Sequence, residues 1–308
     1  MNDLPTIILN NGVSIPSIGM GPGILGYSAR DSKSYTNPLC QFSYRVYNKI
    51  CRYPKLVNNY VNAIINSFHV GFRLIDYSSS YGDGTLIGKA IRKSGIDRNT
   101  LFLTTRISNQ VQWQGNIREC LFQQLKGMNT DYIDLLMFHW PVTNVYVDTW
   151  KEMIKLYKEG YCRALGVANC HQHHIEKLME VADIIPAVNQ FEVHPLFTQK
   201  TLISYCRNLG IQVESYTALA RMDDRLFRLP SLKNIAKKYN KTVAQIVLRW
   251  HIQNDLIPVV RSLNPKRQME NISIFDFKLS SDEMEEIDGI NINARVRYDP
   301  DNCDFTIL

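Results

Sequence analysis

Short runs of apolar, β-forming residues alternate along the chain with longer segments whose apolar residues recur three and four positions apart. The short runs have the length and composition of buried strands, and the longer segments have the periodicity of amphipathic helices. The predicted strands are SIGM near residue 18, FRLIDY (72–77), LFLTTR (101–106), YIDLLMF (132–138), RALGVA (163–168), PAVNQ (186–190), QVESYT (212–217) and IPVVRS (257–262). Predicted helices between them include YVNAIINSFHV, VDTWKEMIKLYKEG and HIEKLMEVAD.

Both ends of the chain carry an element outside this alternation. Near the start, TIILNNGVSIPSIG predicts two short strands joined by a hairpin turn at Asn10, Asn11 and Gly12. Near the end, LSSDEMEEIDGI (279–290) predicts a helix that a serine and an acidic first turn open.

Eight strand–helix pairs in succession predict parallel strands joined by crossover helices. In a chain of 308 residues, eight such units fit a closed α/β (β/α)8 TIM barrel. No linker rich in glycine, proline or serine divides the chain. Residues 1–308 are therefore predicted to form a single barrel domain that begins with a β-hairpin.

One segment, residues 27–54, interrupts the alternation and is rich in Tyr, Ser and Arg. A loop of this length is uncommon in a compact domain unless it binds something, closes over a site or is disordered. Because it follows the first barrel strand, it is predicted to be a loop insertion at the catalytic face. A disordered loop or an oligomer contact is the alternative interpretation.

Composition and charge narrow the function classes. The chain is 45% hydrophobic and 21% charged, as in ordinary soluble proteins, and its formal net charge is only +6. Basic residues are scattered, which argues against nucleic acid as a partner. No run is long enough for a membrane span, and the first residues do not resemble a signal peptide. Seven cysteines without framework spacing suit a reducing compartment, so we expect a cytoplasmic protein, most simply a monomer.

Polar side chains recur where the predicted strands end. Since the carboxyl ends of barrel strands converge on the active site, these residues form the candidate site. Each one alone also suits a loop cap or a rim position, so the joint pattern carries the argument. The residues are Asp76, Tyr81, Arg106, His139, Asn169, Gln190, Tyr216, Arg261 and Ser262.

At these positions the sequence resembles the aldo-keto reductase superfamily. The resemblance runs from about residue 5 to about residue 305 and skips the insertion. It rests on GFRLIDYSSSYGDGTLIGKAI, DYIDLLMFHWP, EGYCRALGVANC, PAVNQFEVHP and PVVRSLNPKRQMEN in that order, with DPDNCDF resembling the bacterial-type C-terminal end. Five blocks in order at appropriate spacing make a chance match improbable.

The resemblance implies reduction of an aldehyde or ketone to an alcohol. It assigns the general acid to Tyr81, because a phenol, with an ordinary pKa near 10, holds a proton at neutral pH that it can give to a developing alkoxide. It assigns His139 to the carbonyl oxygen and Asp76 to holding a neighbouring cation. The hydride would come from a nicotinamide cofactor, because no side chain supplies one.

The clearest departure from the family pattern is Arg106 in FLTTRISN, where the family has a lysine. Arginine keeps the positive charge, but it is planar and longer than lysine. Three outcomes stay open: turnover at reduced rate, normal turnover in an adjusted site, or a barrel that binds the cofactor without turnover and acts as a sensor or scaffold. Pro22, Gly23 and Ala168 are smaller departures, at positions where the family has pocket-wall residues and a serine.

For the cofactor, the resemblance implies NADPH or NADP+ lying across the barrel mouth. Two guanidiniums and a hydroxyl suit a doubly charged phosphate, which favours NADPH over NADH. Tyr216 is assigned to stacking on the nicotinamide. The remaining implied contacts are Asn169 and Gln190 to the nicotinamide amide, Arg261, Ser262 and Arg267 to the 2′-phosphate, Glu270 and Asn271 to the adenine, and Thr217 and Leu219 as further cofactor-binding positions.

The substrate is predicted to be a small carbonyl compound, with a sugar or another polar metabolite suggested by the serines near residue 80. Ser80 and Trp140 are the predicted substrate-pocket residues. A metal-dependent hydrolase or lyase is a further alternative, for which the only candidate is CHQHH (170–174). Cys170 and His174 would share a helix face there, but the sequence shows no fourth ligand. We therefore interpret this stretch as a surface helix start and predict no metal.

Overall fold

The computed structural model describes residues 4–23, 25 and 53–307. Eight parallel strands close into a barrel, in which the last strand along the chain pairs with both the first and the seventh. The barrel strands are β3 (Gly19–Met20), β4 (Leu74–Asp76), β5 (Phe102–Ile107), β6 (Ile133–Phe138), β7 (Cys162–Ala168), β8 (Val188–Glu192), β9 (Gln212–Tyr216) and β10 (Ile257–Val260). Each lies within or beside one of the predicted runs, so the predicted barrel is confirmed.

Helices cover the outside of the barrel between the strands. In the described part of the chain they are α1 (Tyr53–Val70), α2 (Thr85–Ser94), α3 (Asn109–Gln114), α4 (Ile117–Met128), α5 (Tyr146–Lys158), α6 (Gln172–Met179), α7 (Lys200–Asn208), α8 (Asp224–Phe227), α9 (Pro230–Tyr239), α10 (Val243–Gln253), α11 (Pro265–Ile272) and α12 (Ser281–Asp288). The predicted opening of α12 is confirmed, because the Ser280 hydroxyl accepts the Glu283 N–H at 3.3 Å.

The predicted N-terminal hairpin is also confirmed. Its strands, β1 (Thr6–Ile8) and β2 (Ser14–Pro16), pair antiparallel, and Gly12 takes the left-handed conformation at φ 84°. Leu9 and Ile15 of the hairpin are buried against inward-facing residues such as Phe102 and Leu135. The hairpin therefore helps to enclose one end of the barrel.

Two glycines fix how closely α2 and α4 approach each other. A Cβ on Gly127 would lie 1.8 Å from the Asp83 carbonyl oxygen, and a Cβ on Gly88 would lie 2.4 Å from the Gly127 carbonyl oxygen. Neither position has room for a side chain, so this contact depends on glycine in both helices.

The predicted insertion at 27–54 lies mostly outside the described residues. Its last two residues, Tyr53 and Pro54, belong to the first turn of α1 and not to a loop, which corrects the predicted end. Proline suits a first helical turn because the N–H that it lacks would have no intrahelical partner there. The assignment of residues 1–308 to one domain stays a prediction.

Among the helices of the described residues, none is both long and apolar enough to cross a bilayer.

Candidate active site

Asp76 and Arg106 form a buried ion pair at the carboxyl ends of neighbouring strands. β4 ends at Asp76, which lies opposite Thr104 of β5, and Arg106 follows on the same face two residues later. Nη2 of Arg106 donates to the Asp76 carboxylate, and Nη1 donates to the Tyr77 carbonyl oxygen at 3.0 Å. Both side chains are buried. Burial works against the charged guanidinium, but Asp76 and then Tyr81 outweigh it and raise the pKa of Arg106 above its usual value.

Gln190 and Glu214 extend this pair into a network inside the barrel. Arg106 Nη2 also donates to Gln190 Oε1 at 2.6 Å, and Gln190 Nε2 donates to Glu214 Oε2 at 2.8 Å. Burial, reinforced by the Asp76 charge, raises the pKa of Glu214 to about 8. Asp76 contacts the guanidinium directly, whereas Glu214 is linked to it through Gln190 and holds its proton at neutral pH. Sequence reasoning missed Glu214, although a glutamate inside the predicted strand QVESYT was the available signal.

Tyr81 and His139 lie side by side at the same end of the barrel. Tyr81 ends a 3₁₀ turn (Ser79–Tyr81), whose start is capped by the Ser78 hydroxyl. The rings of Tyr81 and His139 meet edge to face, with centroids 6.4 Å apart and planes at 89°. Burial, followed by the charges of Arg106 and Arg297, lowers the pKa of His139 to about 3. His139 is therefore a neutral imidazole at physiological pH and offers one N–H donor.

Asn169 and Tyr216 are hydrogen-bonded to each other beside His139. The Tyr216 hydroxyl donates to Asn169 Oδ1 at 2.6 Å, and Asn169 Nδ2 donates to the His139 carbonyl oxygen at 2.9 Å. Asn169 and Thr217 both have left-handed backbones, at φ 60° and 53°. Asparagine tolerates this conformation, whereas a β-branched threonine adopts it at a cost, and such strain is concentrated at functional sites.

These groups surround one cavity of about 250 Å³. Its described lining is Gly21, Gly23, Asp76, Tyr81, Arg106, His139, Trp140, Asn169, Gln190, Tyr216, Thr217, Arg221, Val259, Val260, Arg261 and Arg297. The structure thus brings together the four predicted catalytic residues, the predicted pocket residue Trp140 and five of the predicted cofactor positions. Arg221 and Arg297 were missed, although Arg297 precedes the DPDNCDF block that carries part of the resemblance.

Ser80, the other predicted pocket residue, lies outside the described lining of the cavity. Its side chain is exposed, and its hydroxyl is 2.8 Å from that of Ser78. The structure therefore uses these serines to shape the turn that carries Tyr81.

The remaining predicted cofactor positions lie beyond the cavity. Leu219 is half-buried just after Thr217. Ser262 is buried, and its hydroxyl accepts the Asn264 N–H at 3.1 Å. Arg267, Glu270 and Asn271 belong to α11, where Arg267 is exposed, Asn271 is buried and Glu270 accepts the Thr242 hydroxyl at 2.6 Å.

The profile of the Aldo/keto reductase family matches residues 55–292. The chain is 40% identical over 235 residues to glyoxal reductase of Bacillus subtilis, covering 76% of this chain and 84% of that protein. It is 38% identical over 243 residues to methylglyoxal reductase DkgA of Escherichia coli (strain K12), covering 78% and 88%. The crystal structure of Bombyx mori aldo-keto reductase AKR2E4 in complex with NADP superimposes with a TM-score of 0.80 at 29% identity, covering 98% and 97%.

The closed barrel, with a polar pocket at the carboxyl ends of its strands, is a (β/α)8 fold with its candidate active site at the end where such sites lie. With the profile match over most of its length, the chain belongs to the aldo/keto reductase family.

Proposed function

We propose that this protein is an NADPH-dependent reductase that converts small aldehydes and ketones to alcohols. The observation that carries the proposal is the buried Asp76–Arg106 pair in the same cavity as Tyr81 and His139. The relatives include a glyoxal reductase and a methylglyoxal reductase, which supports compact 2-oxoaldehydes as the substrates of this protein. A cavity of about 250 Å³ suits compact molecules, and sugars are the alternative polar carbonyl class.

The residues along the mouth fit a dinucleotide phosphate. Gly23 has φ 68°, and a Cβ there would lie 2.7 Å from Arg261 Nε, so the bare backbone leaves the arginine beside the cavity. Arg221 and Arg261 add positive charge to this rim, where phosphate oxygens accept charge-assisted hydrogen bonds. The half-buried Tyr216 offers an aromatic face for stacking, and Asn169 and Gln190 carry amides for the nicotinamide amide. NADPH, when bound, supplies the hydride.

Tyr81 is the proposed proton donor. A phenol hydroxyl at the cavity can protonate the oxygen of the carbonyl as charge develops on it. The neutral His139 donates a second hydrogen bond to the same oxygen and orients the substrate. Trp140, which is buried in the cavity wall, would exclude water from the reacting carbon.

Arg106 is the proposed source of positive charge for Tyr81. A guanidinium beside a phenol favours the phenolate that forms when the proton is transferred. Asp76 holds the guanidinium in place, and Gln190 and the Tyr77 carbonyl fix its plane. The pair therefore keeps a fixed cation near the acid without a lysine.

A cofactor-binding sensor without turnover is the second candidate. It is favoured by the same hydrogen bonds, because Nη1 and Nη2 of Arg106 are directed to Tyr77, Asp76 and Gln190, while Nε has no hydrogen-bond partner among the described residues. If the guanidinium is committed to these partners, it stabilises the phenolate poorly.

NADPH oxidation with methylglyoxal, glyoxal, simple aldehydes and sugars, measured beside an NADPH-binding titration, separates the two candidates. We expect turnover on at least one carbonyl that is lost in Tyr81→Phe while NADPH binding is retained. Binding without turnover in the wild type, together with turnover in Arg106→Lys, would support the sensor. Absence of NADPH binding would contradict both.

For its setting, we propose the cytoplasm and a monomer. The cysteines of the described residues are free, which suits a reducing compartment. Size-exclusion chromatography with light scattering, at a monomer mass of 35.6 kDa, tests the oligomeric state.

A further inference from the structure

The described lining of the active-site cavity carries an excess of positive charge. It contains four arginines, Arg106, Arg221, Arg261 and Arg297, and a single carboxylate, Asp76. Asp76 is paired with Arg106 inside the barrel. Three further guanidiniums therefore border one cavity of about 250 Å³, and a concave surface with an excess of one charge attracts ligands of the opposite charge.

Arg297 borders a different part of the cavity mouth from Arg261. Arg261 directly follows β10, beside the rim proposed for the cofactor phosphates. Arg297 belongs to the C-terminal segment, which is held at the end of β8 and packs its Phe305 ring against Trp140 just after β6. Around the closed barrel, the arc from β6 to β8 contains β7 and excludes β10. The segment therefore borders the side of the mouth that carries His139, the proposed substrate-orienting residue.

The backbone at Arg297 is fixed by a buried carboxylate. The N–H groups of Val296 and Arg297 donate to the two oxygens of Glu192, at 2.7 and 2.9 Å. Glu192 is buried, and its Oε1 also lies 2.9 Å from His194 Nε2. Both oxygens of Glu192 are therefore engaged, and they hold the main chain of Arg297 rather than its guanidinium. Because these bonds do not involve the side chain, they should survive a substitution at Arg297.

The guanidinium of Arg297 has no anionic partner among the described residues. It makes no hydrogen bond or ion pair within them, and its Cζ lies 5.4 Å from the centroid of the Tyr298 ring. Its charge acts on the reacting end of the cavity, because burial, then Arg106 and then Arg297 lower the pKa of His139 to about 3. A half-buried guanidinium that faces a cavity in this way is available to an anionic ligand.

We propose that Arg297 binds a carboxylate group of the substrate, so that the protein prefers carbonyl compounds that carry a carboxylate. This preference rests on the reductase function proposed above and narrows its substrate class. Two N–H donors of a guanidinium match the two oxygens of a carboxylate, which fixes the orientation of the ligand as well as its charge. With the carbonyl oxygen at Tyr81 and His139, the carboxylate would lie at the Arg297 side of the same cavity.

The test compares a carboxylate substrate with an uncharged amide of nearly the same size. One pair is para-carboxybenzaldehyde and para-formylbenzamide, and the meta isomers form a second pair that places the charge at a different angle. In Arg297→Gln at saturating NADPH, the ratio of kcat/KM for carboxylate over amide should be lower than in the wild type by at least about tenfold, the lower end of what a hydrogen bond to a charged group contributes. The fall should appear mainly in KM, and Arg297→Lys, which keeps the charge, should retain part of the preference.

Arg92→Gln is the matched control. It removes the same charge from an exposed position in the last turn of α2, outside the described lining of the cavity, and should keep the wild-type ratio. The KM for NADPH should be the same in Arg297→Gln as in the wild type, because the proposal assigns Arg297 to the substrate and not to the cofactor.

A binding measurement separates the role of Arg297 from the reductase function. In protein saturated with NADP+, which has no hydride to donate, isothermal titration should show tighter binding of the carboxylate than of the amide in the wild type, but not in Arg297→Gln. Carboxylate-selective binding without any turnover would support the role of Arg297 and contradict the reductase function.

Turnover on the amides without a carboxylate preference in either pair would overturn the role of Arg297 and leave the reductase function intact. This wild-type comparison needs no variant, so it holds even if Arg297→Gln folds poorly. A preference that survives Arg297→Gln, or a raised KM for NADPH with an unchanged substrate ratio, would also overturn the proposal.

Discussion

The two ends of the barrel interior bury different chemistry on the same strands. At the end enclosed by the hairpin, the inward-facing side chains are apolar: Leu74, Phe102, Leu135, Ala164, Val188 and Ile257 pack with Leu9 and Ile15. Two residues further along β4 and β8, on the same face, stand Asp76 and Gln190, and Glu214 occupies the corresponding level of β9. Two residues along a strand therefore separate this apolar layer from a polar layer, which contains Asp76, Gln190 and Glu214.

The two layers contribute to different properties: the apolar layer to the stability of the fold, and the polar layer to the proposed chemistry. The apolar layer gains free energy from area removed from water. The polar layer buries an ion pair whose desolvation offsets most of its attraction, so it contributes little to net stability even though breaking it is costly. Its proposed role is to hold a fixed positive charge near Tyr81, the proposed proton donor.

The largest effect should come from Tyr81→Phe. Loss of the proposed proton donor should lower kcat/KM for methylglyoxal by about 10²–10⁴-fold, the range of general acid catalysis. The half-buried ring remains, so the unfolding temperature should stay within error of the wild type. Steady-state NADPH oxidation checks the fall in kcat/KM, and a thermal melt checks the unfolding temperature. Retained activity would remove Tyr81 from the proposed mechanism.

Arg106→Met should lower both the stability of the fold and the turnover, which sharpens the comparison of the two layers. Without the guanidinium, the Asp76 carboxylate is left buried beside Glu214, and breaking a buried pair typically costs about 3–5 kcal/mol. Urea unfolding should show this loss, and turnover should fall as well. Arg106→Lys is the control that retains the charge and should recover most of the stability. Equal unfolding free energies in the wild type and Arg106→Met would contradict the ion-pair argument.

Leu135→Ala should lower the free energy of unfolding without changing the activity of the folded protein. Leu135 is fully buried in the apolar layer, so truncation should cost about 2–5 kcal/mol by transfer and cavity formation. The KM and kcat of the folded fraction should not change, because Leu135 is not among the described residues that line the cavity. Leu135→Met, a volume-conserving control, should cost less than about 1.5 kcal/mol. Selective loss of kcat in Leu135→Ala would show that the two layers are coupled.

The same contrast explains what the sequence predicts well. Strand positions follow from local apolar runs, and the barrel follows from their repetition. Boundaries shift by a few residues: β8 is Val188–Glu192 against a predicted 186–190, because the ladder to β7 and β9, not composition, sets its ends. The known family pattern supplied ten of the sixteen described residues that line the cavity, but not Arg221 or Arg297. The contacts that sequence did not supply join residues far apart in the chain, such as Glu214 with Gln190 or Asp301 with His171. Local pattern carries no signal for such pairs.

The smallest predicted effect is a pH dependence that originates in Glu214. Its pKa is raised to about 8 by burial and by Asp76, whereas in the unfolded chain it is near 4.3. Between these values the folded protein keeps a proton that the unfolded chain has lost, so the contribution of this group to stability falls as pH rises and is lost through about pH 8. Glu214→Gln cannot ionise and should lack this fall. From pH 7 to pH 8 the unfolding free energy of the wild type should therefore drop by about 1 kcal/mol relative to Glu214→Gln. Urea unfolding at the two pH values measures the difference.

The control is Glu159→Gln. Arg118 lowers the pKa of this exposed carboxylate, so it stays ionised from pH 7 to pH 8, and its removal should leave the pH dependence of the wild type intact. A parallel response of wild type and Glu214→Gln would mean that Glu214 is already ionised at pH 7, and that the polar layer holds two carboxylates against one guanidinium.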